Sequence, residues 1–591
     1  MNIFDERISV LQSQMKRDGI KAYIIKATDP HMSEMYAKRF GAERFYFCSF
    51  KGEDGTLLVT QDKNYLYTDG RYWVEAEGAL KGTSCQLVYM GKLGVPSMVS
   101  FIKDNDLYPL GLDASLFGLS EIRSLFVDKD HPIKSLDYSF LVKDMPALPK
   151  DKIFRIDQKF LSKTRDERVS SILCKAEKEN AKDVLLTALD DISYVLGYRG
   201  NDIDCTPVFY SYLYINSDHS LDLFIDSEKL PDSFKEEKNI RIHPYADIST
   251  FLDTKEETPI SIDPKRVNAL LCSHVRNRVY QTSPAYLDKA VKGPVEIENI
   301  KRVHEIDGVA VLKLMKYIED NVGSGFLNEK KCADYVDAIR LADKDCFELS
   351  FGTIAAADSN AAMMHYAPTS EVFSPLTSFN QLLLVDSGGQ YYGGTTDITR
   401  TFLVNKEPSK EVIHDYTLTL KSQIALSTSI FEAGASGHSI DIKAREVMWK
   451  EGLDYKCGTG HGVGYISCVH EGPVGFRFYD SIDRDDKGVL QPGHIITIEP
   501  GVYKSGKYGI RLENELLVVP AFESPDGVFY KFETITYCPY DLKGIDISLL
   551  SDDEINWVNS YNKMVFEKLS PLIHDQDLLA FLKKTTREIV R

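Results

Sequence analysis

The sequence predicts a mixed α/β and α+β protein of three domains, two small α/β domains followed by one large α+β domain. Three observations predict it: a repeated order of elements in the N-terminal half, a Gly-Pro break before a long amphipathic helix, and a series of glycine-bounded strands in the C-terminal half. The 591 residues allow three or four domains at about 150 residues each.

The first segment reads as a helix ending near Gly19, then the apolar run KAYIIKATDPHMSEMY, then the strands GTLLVT and NYLYTDGRY. The second reads as a helix through Glu179, then KDVLLTALDDISYVLGY, then PVFYSYLYI and LDLFID. In each, an apolar run meets an aspartate. Those residues, Asp29 and Asp190, stand 161 positions apart, a reasonable domain length. The Pro- and charge-rich stretch KDMPALPKDK suits a linker between the copies. The expected domains are therefore 1–155 and 156–288. Beyond Gly293-Pro294, Ile306, Ala310, Leu314 and Ile318 recur every four residues on one face of a helix. The third domain, 289–591, carries the strands QLLLVDSGGQYY, HIITIEPGVY and GIRLENELLVV.

Composition narrows the function. Hydrophobic residues make up 43% and charged residues 27% of the chain, which excludes collagen, rods and wholesale disorder. The net charge of −18 repels a phosphate backbone, and no dense basic run offsets it, so no nucleic-acid partner is expected. No apolar stretch approaches the ~20 residues of a spanning helix, so no membrane is expected. The start, MNIFDERISV, carries Asp5 and Glu6 where a secretory signal is basic and then apolar. Ten cysteines lie between Cys48 and Cys538 without a CxxC pair, which fits a reducing compartment. A cytoplasmic location is expected.

The chemistry concentrates in the third domain. QLLLVD ends in Asp386, and TTDITRTFLV after a Gly-rich turn contains Asp397. If a hairpin joins these strands, both carboxylates can face one point. HIITIEP ends in Glu499, and GIRLENELLVV holds Glu513 among aliphatic residues. Singly, such an Asp is a turn former and such a Glu an edge residue. Converging, four buried carboxylates are tolerable only where protons or cations compensate them. GTGHGVG adds His461 from a loop whose glycines permit close backbone approach. An oxygen-rich site with one imidazole suits Mn²⁺, Mg²⁺ or Co²⁺ better than thiolate-seeking metals.

The order Asp, Asp, His, Glu, Glu, within VDSGGQYYGGTTDITRT, GTGHGVG, VHEGP, IEPGVY and GIRLEN, resembles the pita-bread metallopeptidases, family M24. SFGTIAA, MMHYAP, DDISYVLGYRGNDIDCTPVFYSYLYI, YTDGRYWVEA and LSDDEINWVNSYN extend the resemblance over the chain, to the long, three-domain, cytosolic aminopeptidase P type. The resemblance implies two small creatinase-like N-terminal domains and a C-terminal pita-bread catalytic domain. It implies two divalent ions, Mn²⁺ first, with Asp386 on one, His461 and Glu499 on the other, and Asp397 and Glu513 bridging both. The implied activity is hydrolysis of the N-terminal Xaa-Pro bond of peptides, with a metal-bridging hydroxide as nucleophile and Glu499 as proton shuttle. His365 in MMHYAP and His470 in VHEGP would contact substrate and stabilise the tetrahedral intermediate. Arg71 in TDGRY would approach the substrate, Arg511 would orient a ligand carboxylate from behind, and a homodimer would form through the catalytic domain.

Two departures stand out. Cys457 occupies a pocket position where aminopeptidase P commonly has a histidine, and SFKGEDGT replaces a Gly-Ser-Ala-Gly turn. Two other readings compete. One is a prolidase acting on Xaa-Pro dipeptides, against which the length argues. The other is a catalytically inactive pita-bread binding module, against which all five intact ligand positions argue. No G-x-S-x-G elbow or HExxH zinc motif is present.

Overall fold

The computed structural model describes all residues except Met1, Glu53, Arg71, 126–129, His365 and 479–487, together with the side chain of Val74. The chain forms two compact units, Met1–Arg155 with Arg165–Asp288, and Ile156–Thr164 with Lys289–Arg591.

The first unit contains the repeat. One sheet holds β1 (Ala22–Lys26), β2 (Thr56–Thr60), β3 (Asn64–Thr68), β4 (Gln86–Tyr89), β5 (Leu110–Leu112) and β6 (Ile133–Ser135), in the order β4-β3-β2-β1-β5-β6. After β7 (Phe154–Arg155) come β8 (Asp183–Leu186), β9 (Tyr198–Arg199), β10 (Ser211–Ile215), β11 (Leu221–Ile225), β12 (Ile240–His243), β13 (Ile260–Ile262) and β14 (Arg278–Tyr280). The second sheet runs β12-β11-β10-β8-β13-β14, and β7 pairs with β9. Orientations also repeat. β1 is antiparallel to β2 and parallel to β5, and β8 is antiparallel to β10 and parallel to β13. β1 and β8 start at Ala22 and Asp183, the same offset that separates Asp29 from Asp190.

Asp29 and His31 fasten the halves of this unit to each other. Asp29 is buried and accepts from the Tyr210 hydroxyl at 3.1 Å. His31 bonds the Thr187 carbonyl at 2.6 Å and the Tyr245 hydroxyl at 2.7 Å. Burial disfavours its charged form and lowers its pKa.

In the second unit, Gly293 caps the helix Pro294–Asn321 with Pro294 in its first turn, and Glu296 Oε2 accepts from the Gly293 N–H at 2.7 Å. Ala310, Leu314 and Ile318 are buried on this helix and Ile306 is half-buried, as the spacing predicts. Three sheets of this unit matter for the site. β15 (Cys346–Leu349), β18 (Gly389–Tyr391) and β19 (Gly394–Thr395) form one. β16 (Ile354–Ala357), β17 (Leu382–Ser387) and β20 (Ile398–Leu403) form the second, with β17 central and antiparallel to both neighbours. β21 (Ile430–Glu432), β24 (Ile495–Ile498), β27 (Asn514–Ser524) and β28 (Gly527–Thr534) form the third, in the order β21-β28-β27-β24. Two ribbons, β22 (Gly460–His461) with β23 (Gly475–Phe476) and β25 (Gly501–Lys504) with β26 (Tyr508–Arg511), complete the frame.

Leu382, Leu383, Leu384 and Val385 of β17 are at most 2% exposed. At about 1.5–3 kcal/mol for each buried aliphatic side chain, this run anchors the register. A one-residue slip would carry Asp386 to the opposite face. All ten cysteines are free thiols. Among the described residues, no helix is long and apolar enough to cross a membrane.

Candidate metal centre

Each of the five ligand candidates sits at a strand end in the second unit, where the backbone stays hydrogen-bonded while the side chain leaves the sheet. Asp386 is the penultimate residue of β17, and Asp397 immediately precedes β20. His461 ends β22, Glu499 follows β24, and Glu513 precedes β27. The hairpin expected from the sequence is the β17–β20 pair, with Asp386 opposite Thr399. Glu499 and Glu513 are adjacent because Ile498 pairs with Asn514.

Asp397, His461 and Glu513 each offer a ligand atom, and these atoms lie within 4.8 Å of one another. His461 Nε2 is 3.4 Å from Asp397 Oδ2 and 3.6 Å from Glu499 Oε1. Asp386 lies to one side, held by Arg511 Nη2 at 2.6 Å through Oδ2. Its buried Oδ1 has no hydrogen-bond partner among the described residues.

Burial pushes the Asp386 carboxyl up to about 6 despite Arg511, with Asp397 adding to the rise. It also raises Glu499, and raises Glu513 well above the usual carboxylate range, where Asp397, Asp386 and Glu499 reinforce it. Burial works against a charged His461, but its hydrogen bond to Asp397 and the nearby Glu499 charge prevail and lift it to about 9. A cluster that holds protons this strongly is one that cations would relieve, and four carboxylates match the charge of two divalent ions. The donor set therefore fits a divalent pair.

Metallopeptidase family M24 matches residues 298–520, which contain all five candidates. Flanking matches are to the Creatinase/Prolidase N-terminal domain at 7–130 and again at 144–296, and to the C-terminal region of peptidase M24 at 528–589. Xaa-Pro aminopeptidase 1 of Dictyostelium discoideum is 33% identical over 616 residues, 99% of this chain and 96% of that one. The chain belongs to metallopeptidase family M24. Within the family it groups with the long Xaa-Pro aminopeptidases, and it is an enzyme of that type. The X-prolyl aminopeptidase of Caenorhabditis elegans, described as a cytosolic enzyme with a di-nuclear active site, superposes over 100% of both chains at a TM-score of 0.93 and 30% identity. The Xaa-Pro dipeptidase of Bacillus anthracis, 20% identical, shares the fold over 64% of this chain and 99% of its own, at a TM-score of 0.51. The fold of this M24 member is thus a pair of creatinase-like N-terminal domains followed by a pita-bread catalytic domain.

Of the other residues picked out from the M24 motifs, His470 is exposed, with its ring 4.3 Å from that of His461, edge to face. Cys457 is half-buried, and burial followed by the Glu499 charge pushes its thiol up to about 12. Arg511 ends β26 and donates to Asp386, to Thr399 Oγ1 at 3.1 Å and to the Tyr503 hydroxyl at 2.9 Å. Arg71 and His365 lie outside the described residues.

Several supporting residues were not picked out from the sequence. Thr399 donates to Glu513 Oε2 at 2.8 Å, and Thr497 Oγ1 accepts from the His461 N–H at 3.0 Å. Glu515 Oε1 accepts from the Asp397 N–H at 2.8 Å and lies 3.1 Å from His304 Nε2. The signal for Thr399 was the polar run Thr-Arg-Thr in the strand that follows Asp397, and for Glu515 a second acid two residues after Glu513. Gly460 is required by close approach, since a Cβ there would lie 1.9 Å from the Thr497 carbonyl oxygen.

Proposed function

We propose that the chain is a dinuclear-metal aminopeptidase that hydrolyses the first peptide bond of peptides whose second residue is proline. The supporting observation is the convergence of Asp397, His461 and Glu513 within 4.8 Å, next to Asp386 and Glu499 at the same strand ends. In this reading 289–591 is the catalytic domain, behind N-terminal domains at 1–155 and 156–288. Asp386, Asp397, His461, Glu499 and Glu513 would hold two divalent ions, and Mn²⁺ would suit the oxygen-rich set. Bound there, the ions supply Lewis acidity toward water and the scissile carbonyl near neutral pH.

The remaining work falls to side chains. Glu499, its carboxyl raised by burial, takes a proton from the attacking water and delivers it to the departing proline nitrogen. That nitrogen is a tertiary amide without N–H, so proline is recognised by ring shape. His470, His365, Arg71 and Cys457 serve the substrate side. Arg511 keeps Asp386 oriented from behind. A homodimer through the catalytic domain and a cytoplasmic location complete the proposal, in keeping with the relative described as cytosolic.

The test is a peptide panel with Mn²⁺: an Xaa-Pro-Xaa tripeptide, an Xaa-Pro dipeptide and an Xaa-Ala-Xaa control. Release of the first residue from the proline tripeptide, with the control untouched, is expected. Cleavage of the dipeptide alone would replace this reading with a prolidase. Silence toward all three with metal bound would replace it with a binding module.

A further inference from the structure

Glu471 follows His470 directly, yet the two side chains have opposite surroundings. His470 is exposed beside His461, whereas the Glu471 carboxylate is 1% exposed and gripped by two lysines. Lys289 Nζ meets Oε2 at 2.8 Å and Lys292 Nζ meets Oε1 at 2.9 Å. Both lysine side chains are buried as well, at 4% and 2% exposure. The His494 imidazole is held neutral by burial and by the Lys292 charge, at about 3. Two ammonium groups therefore grip one carboxylate in the interior, where every buried charge carries a desolvation cost. Such a cluster needs a reason beyond stability.

The backbone supplies one. The Glu471 N–H donates to the Gly462 carbonyl at 2.8 Å, and the Gly462 N–H donates to the Val474 carbonyl at 3.1 Å. A Cβ at Gly462 would lie 2.0 Å from the Glu471 carbonyl oxygen. GTGHGVG and VHEGP are thus joined at Glu471, one residue from each histidine's own attachment to the chain.

We propose that Glu471, clamped by Lys289 and Lys292, is a positioning residue that sets His470 against His461 for substrate contact. The inference rests on the proposed role of His470 at the substrate. The clamp acts through the loop: with one lysine removed, one carboxylate oxygen loses its anchor and His470 loses its fixed distance from the site.

The experiment compares Lys292→Met, Lys289→Met, Glu471→Gln and His470→Ala on the metal-loaded, full-length protein. Lys292→Met leaves the bond from Lys289 to Glu471 in place, so it tests the clamp even if Glu471→Gln does not fold. The expected result is a fall in kcat/KM of about tenfold or more for the proline tripeptide, carried mainly by KM. Affinity for a Pro-Xaa product dipeptide falls in step, and bound metal per chain stays at the wild-type value. Lys292→Met combined with His470→Ala falls no further than His470→Ala alone. Losses that multiply in the double variant, or lysine variants with wild-type kinetics beside an impaired His470→Ala, would overturn the clamp while leaving the His470 assignment in place. A His470→Ala protein with wild-type KM and product affinity would remove that assignment, and the inference with it.

Discussion

Arg511, at the end of the β25–β26 ribbon, meets Asp386 of β17 at 2.6 Å, and the bond occupies only Oδ2 of the carboxylate. The other oxygen is buried and unpartnered among the described residues. The guanidinium is itself fixed by Thr399 and Tyr503, so Asp386 is aimed before any ligand arrives. Arg511→Lys keeps the charge but loses the planar fork that reaches all three partners. A fall in kcat/KM of about 10–100-fold is expected, together with weaker metal affinity in a calorimetric titration. Wild-type metal affinity in this variant would show that Arg511 does not orient Asp386.

A second prediction follows from the protons the cluster holds without metal. Asp386 at about 6 and Glu513 well above its usual value mean that the folded chain keeps protons the unfolded chain releases above about 4. Their contribution is full below that pH and is lost as pH rises through the folded values. His461, raised to about 9, contributes fully below about 6.5 and loses its share as pH rises through 9. The melting temperature of the metal-free protein should therefore fall between pH 5 and 9. Metal bound there would displace these protons, so Mn²⁺ should stabilise more at pH 8 than at pH 5. Parallel melting curves with and without Mn²⁺ over this range would contradict the prediction.

Glu499→Gln removes the carboxylate that, in the proposed reading, both binds metal and carries the proton. Turnover should drop by at least about 10²–10⁴-fold with the far-ultraviolet circular dichroism spectrum unchanged. Near-normal kcat in a correctly folded variant would refute the shuttle.

Much of this was legible in the sequence, and the boundary has a physical basis. The five ligand candidates lie in short motifs, where a carboxylate ending an aliphatic run or a histidine between glycines is anomalous on local grounds. The repeat was legible too, because β1 and β8 keep both hydrophobic pattern and spacing. The partners of these residues were not legible. Thr399 reaches Glu513, Glu515 reaches the Asp397 backbone and Lys289 reaches Glu471 across more than a hundred residues of chain. Periodicity identifies strands but not which strands pair. Asp29, conspicuous only as a marker of the repeat, became an anchor once Tyr210 of the other half was found to donate to it.

Cys457 lies within electrostatic reach of Glu499, Arg511 and Tyr503, on the substrate side of the cluster in the proposed reading. A thiol held neutral by burial donates weakly. Cys457→His should alter KM for the proline tripeptide and leave metal content unchanged. Loss of metal in this variant would mean that the residue belongs to the ligand shell.

The central claim is that Asp386, Asp397, His461, Glu499 and Glu513 share two doubly charged ions. Mass-spectrometric metal analysis after Mn²⁺ saturation and desalting, on wild type beside Glu513→Gln, tests it most directly. The account predicts two ions per chain in the wild type and a clear loss in the variant. A wild-type chain that retains none, or a variant that retains as many as the wild type, would contradict it.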